Sequence, residues 1–161
     1  MSAHDFTFGG LDGGELNLEI FKGRAVLLAN TASECGYAPQ LGQLQQLYDE
    51  YGERGLMVVA VPSNDFGDQE PLSEPELREH CETHHGITFP VTGKEHVLGE
   101  QAHPFFRWIE EEVGEAATPR WNFHKYLIDP SGDLVGAWPA KVDPTSQDIR
   151  EAIEGVLPNE A

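Results

Sequence analysis

A chain of 161 residues with 39% hydrophobic residues and aromatics spread along its length fits one domain with a real core, and excludes a disordered chain. Twenty-eight acidic residues against ten basic ones give a formal charge of −18, which argues against nucleic acid and anionic membranes as partners. The acids are dispersed, Glu110 to Glu112 being the longest block, so the plain reading is a highly soluble surface. The sharper reading is adaptation to high salt, suggested by only four lysines. The longest apolar run, Ala25 to Ala29, is too short to span a bilayer, and Met1 to Asp5 carry no signal-peptide pattern. Two cysteines are too few for a disulfide scaffold and point to a reducing compartment. The expected location is the cytoplasm.

In chain order, the elements alternate. Ala25 to Thr31 and Leu56 to Val61 are continuous apolar runs, as expected of strands covered on both faces. Between them Leu41, Leu44, Leu47, Tyr48 and Tyr51 recur at helical spacing, and Gly52 and Gly55 mark the exit. Ser73-Glu-Pro-Glu76 is a capping box that starts a second helix, with Leu77 and Cys81 on its apolar face. A third helix is predicted from His103 to Val113, with Phe105, Ile109 and Val113 in register. Phe123 to Ile128 and Leu134 to Trp138 read as strands joined by the turn Asp129-Pro-Ser-Gly132. Asp143-Pro144 is expected to cap a last helix carrying Ile149, Ile153, Val156 and Leu157. The string β-α-β-α-(β)-α-β-β-α predicts a single α/β domain over residues 1–161, a mixed central sheet flanked by helices whose closing β-β-α is thioredoxin-like.

The chemistry begins at Cys35. It follows a strand directly, in Asn30-Thr-Ala-Ser-Glu-Cys35-Gly-Tyr-Ala-Pro39, and a helix starts within a few residues. Backbone N–H groups and the macrodipole at a helix N-terminus favour a thiolate, the nucleophilic form of a side chain whose free pKa is about 8.5. Position alone leaves a buried, inert cysteine equally open.

The surroundings separate the two. Asn30 to Gln40 resembles the N-V-A-S-x-C-G-x-T-P-Q motif of the glutathione peroxidase family. Pro62-Ser-Asn-Asp-Phe-Gly-Asp-Gln-Glu-Pro71 resembles its P-C-N-Q-F-G-x-Q-E-P motif, and Trp121-Asn-Phe-His-Lys-Tyr-Leu-Ile128 its W-N-F-x-K-F-L-I block. Ile87 to Pro90 and Ala102 to Pro104 also fall where that family has them. The resemblance implies a thiol peroxidase that reduces hydrogen peroxide and organic hydroperoxides, with a catalytic tetrad of Cys35, Gln69, Trp121 and Asn122. No bound cofactor or metal is expected. Gln69, Trp121 and Asn122 offer neutral N–H donors, which hydrogen-bond a thiolate without neutralising it and remain usable as charge moves to the departing oxygen. On residue type alone, a turn residue, core packing and a turn cap are the plainer readings of these three. The departures from the family are Ser63, Asp65 and Thr92-Gly93, none of them in the tetrad. The segment Glu111 to Arg120 is short, which favours a monomer.

Cys81 resembles the resolving cysteine of the thioredoxin-dependent branch, in His80-Cys-Glu-Thr-His-His-Gly-Ile-Thr-Phe-Pro90. The resemblance implies that peroxide oxidises Cys35 to a sulfenic acid, that Cys81 condenses with it, and that a thioredoxin-like dithiol reduces the disulfide. Glutathione specificity would need a basic site, and the acidic chain shows no basic cluster. A glutathione-dependent enzyme with Cys81 as packing, and a peroxide sensor that passes its disulfide to a partner, are the alternatives. His80, Cys81, His84 and His85 lack a second pair of metal ligands and read as a solvated face. A dithiol oxidoreductase is disfavoured because the residue three after Cys35 is Ala38.

Overall fold

The computed structural model describes residues 2–10, 14–32, 39–65, 73, 76–77, 79, 86–98, 100–114, 118–119 and 122–158. Ser2 opens it with a capping box: its hydroxyl accepts from the His4 N–H and its own N–H donates to Asp5. Two three-residue strands follow, β1 (Thr7–Gly9) and β2 (Glu15–Asn17), paired antiparallel. The sequence reading assigned neither.

The main sheet has four strands in the order β4-β3-β5-β6. All seven residues of β3 (Ala25–Thr31) are buried, which is why its sequence is apolar without alternation. Helix α1 (Gln40–Tyr51) buries Leu41, Leu44, Leu47 and Tyr51, and the chain returns as β4 (Leu56–Pro62), parallel to β3. Each fully buried leucine contributes about 2 kcal/mol of transfer free energy. Of the second predicted helix, Glu76, Leu77 and Glu79 are described and helical, and the Ser73–Glu76 capping box is formed at 3.1 and 3.4 Å. The bracketed strand is reduced to isolated bridges, Ala60 with Val91 and Gly10 with Thr92.

Helix α2 (Pro104–Val113) begins at His103, whose ring accepts from the Phe105 N–H. Phe105 and Ile109 are buried as expected, but Val113 is half exposed, because the helix ends there at Gly114 and its last turn turns to solvent. Strand β5 (Lys125–Ile128) is shorter than expected: Phe123 takes φ +69° and breaks the extended run. Asp129 accepts from the N–H groups of Ser131 and Asp133 in the turn to β6 (Leu134–Trp138). Gly132 in that turn has φ +94°, and a Cβ there would meet Ser2 and His4 at 2.9 Å, so only glycine fits. The last helix, α3 (Gln147–Glu154), is capped by Ser146 rather than by Asp143-Pro144. Val156 and Leu157 therefore lie beyond it, although Leu157 is still buried in the core.

β5 runs antiparallel to both β3 and β6, so the sheet is mixed. One face packs α1 and α3 around Leu27, Ala29, Val58 and Leu127; the other packs α2 and the N-terminal residues around Val26, Leu28, Val59 and Tyr126. Tyr51 donates to Glu154 at 2.6 Å and ties α1 to α3. Among the described residues no helix is long and apolar enough to cross a membrane.

Candidate active site

Three sequence motifs attach to one end of this sheet. β3 leaves the sheet at Thr31 and leads into the segment with Cys35, and β4 leaves beside it, Thr31 in register with Pro62, toward the segment with Gln69. β5 is antiparallel, so its beginning lies at the same end, with Lys125 opposite Ala29 and Trp121-Asn122 just before it. In open α/β sheets, ligands bind beyond the carboxyl ends of the parallel strands.

Of the four residues expected to form the tetrad, Asn122 alone lies within the described part, and it is fully buried. Phe123 fixes its direction: its N–H donates to the Asn30 carbonyl at 2.5 Å while its left-handed backbone turns the chain. A buried aromatic residue with positive φ is a strained arrangement of the kind that concentrates at functional sites. Cys35, Gln69, Trp121 and Cys81 lie outside the described residues, as do His80, His84 and His85. Among the described residues no group of three or more His, Cys, Asp or Glu side chains comes together as a metal site.

The stems of the two outer segments are well held. The Ser63 N–H donates to the Thr31 carbonyl at 3.0 Å, and Ser63, a departure from the motif the sequence resembles, is fully buried. Asp65, another departure from the family, accepts from the N–H groups of Val97 and Leu98 at 2.7 and 3.2 Å and pairs with the His96 ring at 2.8 Å. It anchors the chain immediately before the Gln69 segment, a role its short carboxylate fills with charge-assisted bonds.

Two residues of this region escaped the sequence reading. Gln40, in the first turn of α1, is buried and donates to the Ala140 carbonyl at 2.8 Å. Lys125 is fully buried, and its ammonium donates to Ala140 at 3.1 Å and Pro139 at 3.4 Å. Burial lowers its pKa from 10.5 to about 7, against the opposing pull of Asp143. The available signal was a lysine standing in the strand sequence Phe123-His-Lys-Tyr-Leu-Ile128, on the side that carries Phe123 and Leu127.

A parallel β-α-β unit continued by an antiparallel β-β-α, with a cysteine between the first strand and its helix, defines a thioredoxin-like fold. A solved thioredoxin-family thiol:disulfide interchange protein from Chlorobium tepidum shares that fold with a TM-score of 0.70 at 20% identity, over 99% of this chain and 97% of that chain. The solved apo form of Trgpx is more similar, with a TM-score of 0.79 at 30% identity over 100% of this chain and 98% of that one. The glutathione peroxidase family model matches residues 3–110, a span that contains Cys35, Gln69 and Cys81. The glutathione peroxidase homolog BsaA of Bacillus subtilis is 39% identical over 89% of this chain and 92% of its own length. The hydroperoxy fatty acid reductase gpx1 of Synechocystis sp. is 38% identical over 93% and 95%. The chain belongs to the glutathione peroxidase family, and it is a thiol peroxidase.

Proposed function

We propose that this peroxidase works through Cys35 as the attacking thiolate, with Gln69, Trp121 and Asn122 as hydrogen-bond donors around it. The observation that carries the reading is the convergence of the three motif-bearing strand ends on one edge of the sheet, with Asn122 buried there. The Cys35 sulfur takes the terminal oxygen of the hydroperoxide, the O–O bond breaks, and the departing oxygen leaves as alcohol or water after taking a proton. Cys81 then attacks the sulfenic acid, expelling water and forming a disulfide, and a thioredoxin-like dithiol reduces it by exchange. The acidic composition supports a protein dithiol over glutathione, since an anionic tripeptide gains nothing from a surface of net charge −18. The Synechocystis relative's name extends the substrate class to fatty-acid hydroperoxides. The two thiols support a reducing, cytoplasmic setting, and the short stretch from Glu111 to Arg120 supports a monomer acting as one domain.

The test is hydroperoxide turnover with thioredoxin and with glutathione side by side, on the native chain and on Cys35→Ser. Thioredoxin should sustain turnover and glutathione should not. Cys35→Ser should retain less than about a hundredth of the activity while keeping its circular dichroism spectrum, as loss of a nucleophile requires. Equal turnover with glutathione would overturn the donor, and a Cys35→Ser variant that retains more than about a hundredth of native activity would overturn the nucleophile.

A further inference from the structure

Lys125 is the one charged side chain among the described residues that is buried without any exposure. In register with Ala29 of β3 and Trp138 of β6, it shares the α1-facing side of the sheet with Phe123 and Leu127. Its ammonium and the Gln40 amide of α1's first turn donate to the same carbonyl, that of Ala140. The cation is thereby fixed beneath the N-terminal turn of α1. Facing it are Gln40 from α1, the Pro139 and Ala140 carbonyls, and, from the stretch leading to α3, Asp143, the only charged group among the described residues that acts on it.

For the fold alone this is a poor arrangement. A helix N-terminus already carries partial positive charge, and a buried ammonium is costly to desolvate. A Met or Leu of similar volume would fill the site at lower cost. What gains from a cation beneath a helix start is an anion at that start, and Cys35 lies in the segment that leads from β3 into α1. We infer that Lys125 is an electrostatic positioning residue of the peroxidase, holding a positive charge beneath the start of α1 that favours the Cys35 thiolate over the thiol. This rests on Cys35 being the peroxidatic cysteine. Lys125 is not consumed: it neither takes nor gives a proton in the attack, and its charge sets the fraction of enzyme present as the attacking form. The depression of its own pKa toward neutrality, caused by burial against the opposing pull of Asp143, fits a cation bonded to neutral carbonyls among the described residues.

The experiment uses the full chain in a Cys81→Ser background, where Cys35 is the sole thiol. Its ionisation is followed by thiolate absorbance and by the pH dependence of iodoacetamide alkylation, with and without Lys125→Met. Removing the cation beneath the start of α1 should raise the thiol midpoint by about one unit or more, so that alkylation near pH 6 slows about tenfold. The two proteins should converge at alkaline pH, where both thiols are ionised. A purely structural lysine would change the rate by one factor at every pH and leave the midpoint unmoved, which would overturn the inference. Should Lys125→Met fail to fold, the reciprocal measurement decides. The four lysines are few enough to titrate individually by NMR, and Cys35→Ser should lower the Lys125 midpoint by the same coupling. An unmoved lysine midpoint overturns the inference. Failure of the underlying reading shows separately: a Cys35→Ser variant that still consumes peroxide removes Cys35 from the mechanism whatever the two midpoints do.

Discussion

Phe123 and Lys125, two residues apart, are each a local expense to the fold. Phe123 holds φ +69° while fully buried, an arrangement that costs a non-glycine residue of order 1 kcal/mol. Lys125 holds a desolvated ammonium on two neutral carbonyls. The lysine makes a stability prediction whose sign follows from its pKa, lowered from 10.5 to about 7. Below pH 7 the native and unfolded chains both carry the proton, and the burial penalty is constant. Between about pH 7 and 10.5 the unfolded chain still binds a proton that the native chain has lost, so stability rises with pH through that window. Lys125→Met has no such proton to lose. In a Cys35→Ser background, the melting temperature of the Met variant minus that of its parent should be most positive at pH 6 and fall steadily toward pH 10. The substitution orphans neither carbonyl, since Pro139 still accepts from the Val142 N–H and Ala140 from the Gln40 amide, so the trend follows the titration of the lysine. A difference that stays constant from about pH 6 to 10 would show that the native lysine does not titrate in that range.

At the scale of elements, the legible parts were those whose local pattern and tertiary burial agree. β3 and β4 are covered on both faces and read as unbroken apolar runs, and α1 carries its leucines at helical spacing. β1 and β2 were illegible because each has three residues and a single inward side chain. Their strand state comes from pairing with each other and from Phe8, which stacks on His103 with 4.0 Å between ring centroids. The start of α3 was misread because Asp143-Pro144 and Ser146 both satisfy cap chemistry, and the sequence does not say which one bonds. The site's motifs were legible by order and residue type, whereas Lys125 was not, because inward positions of a buried strand are expected to be apolar. The stretch of sequence that carries Cys81 makes its own prediction. Upstream of it Leu77 is buried and the Ser73–Glu76 box is formed, and downstream of it Ile87 and Phe89 are buried. There the Gln45 side chain of α1 pairs with Thr88, accepting from its N–H at 2.8 Å and donating to its hydroxyl at 2.7 Å. Cys81→Ser should consume one peroxide per enzyme in a fast burst and then stall, with thioredoxin-dependent turnover lost. Mass spectrometry of the peroxide-treated native chain should yield a Cys35–Cys81 peptide. Undiminished steady-state turnover in Cys81→Ser would make Cys81 a packing residue and assign resolution to an external thiol.

The whole molecule carries a formal charge of −18, and two electrostatic effects of opposite sign compete in it. Self-repulsion among twenty-eight acids destabilises the compact state and is relieved by salt. Attractive pairs stabilise it and are weakened by salt, but the described ones are few. Lys22–Glu19 is exposed at 3.6 Å, and Arg150 grips Glu50 with its two terminal guanidinium nitrogens, which holds the Glu50 carboxyl below its usual range. Surface pairs of this kind contribute about 0.2 to 1 kcal/mol each. Ten cations cannot pair with more than a fraction of the acids, so repulsion should win and added sodium chloride should raise the melting temperature. The shape of the rise separates two causes. Screening is largely complete once the Debye length has fallen from about 10 Å at 0.1 M to about 3 Å at 1 M, so a surface that is merely acidic should level off within that range. A surface adapted to high salt should keep gaining stability above 1 M, as cations accumulate on carboxylates that close only in the folded state. Differential scanning calorimetry across that range, at constant pH near 7, reads both. A melting temperature that is flat from low to molar salt would show that the dispersed acids lie too far apart to repel each other appreciably, leaving solubility as the only consequence of the charge.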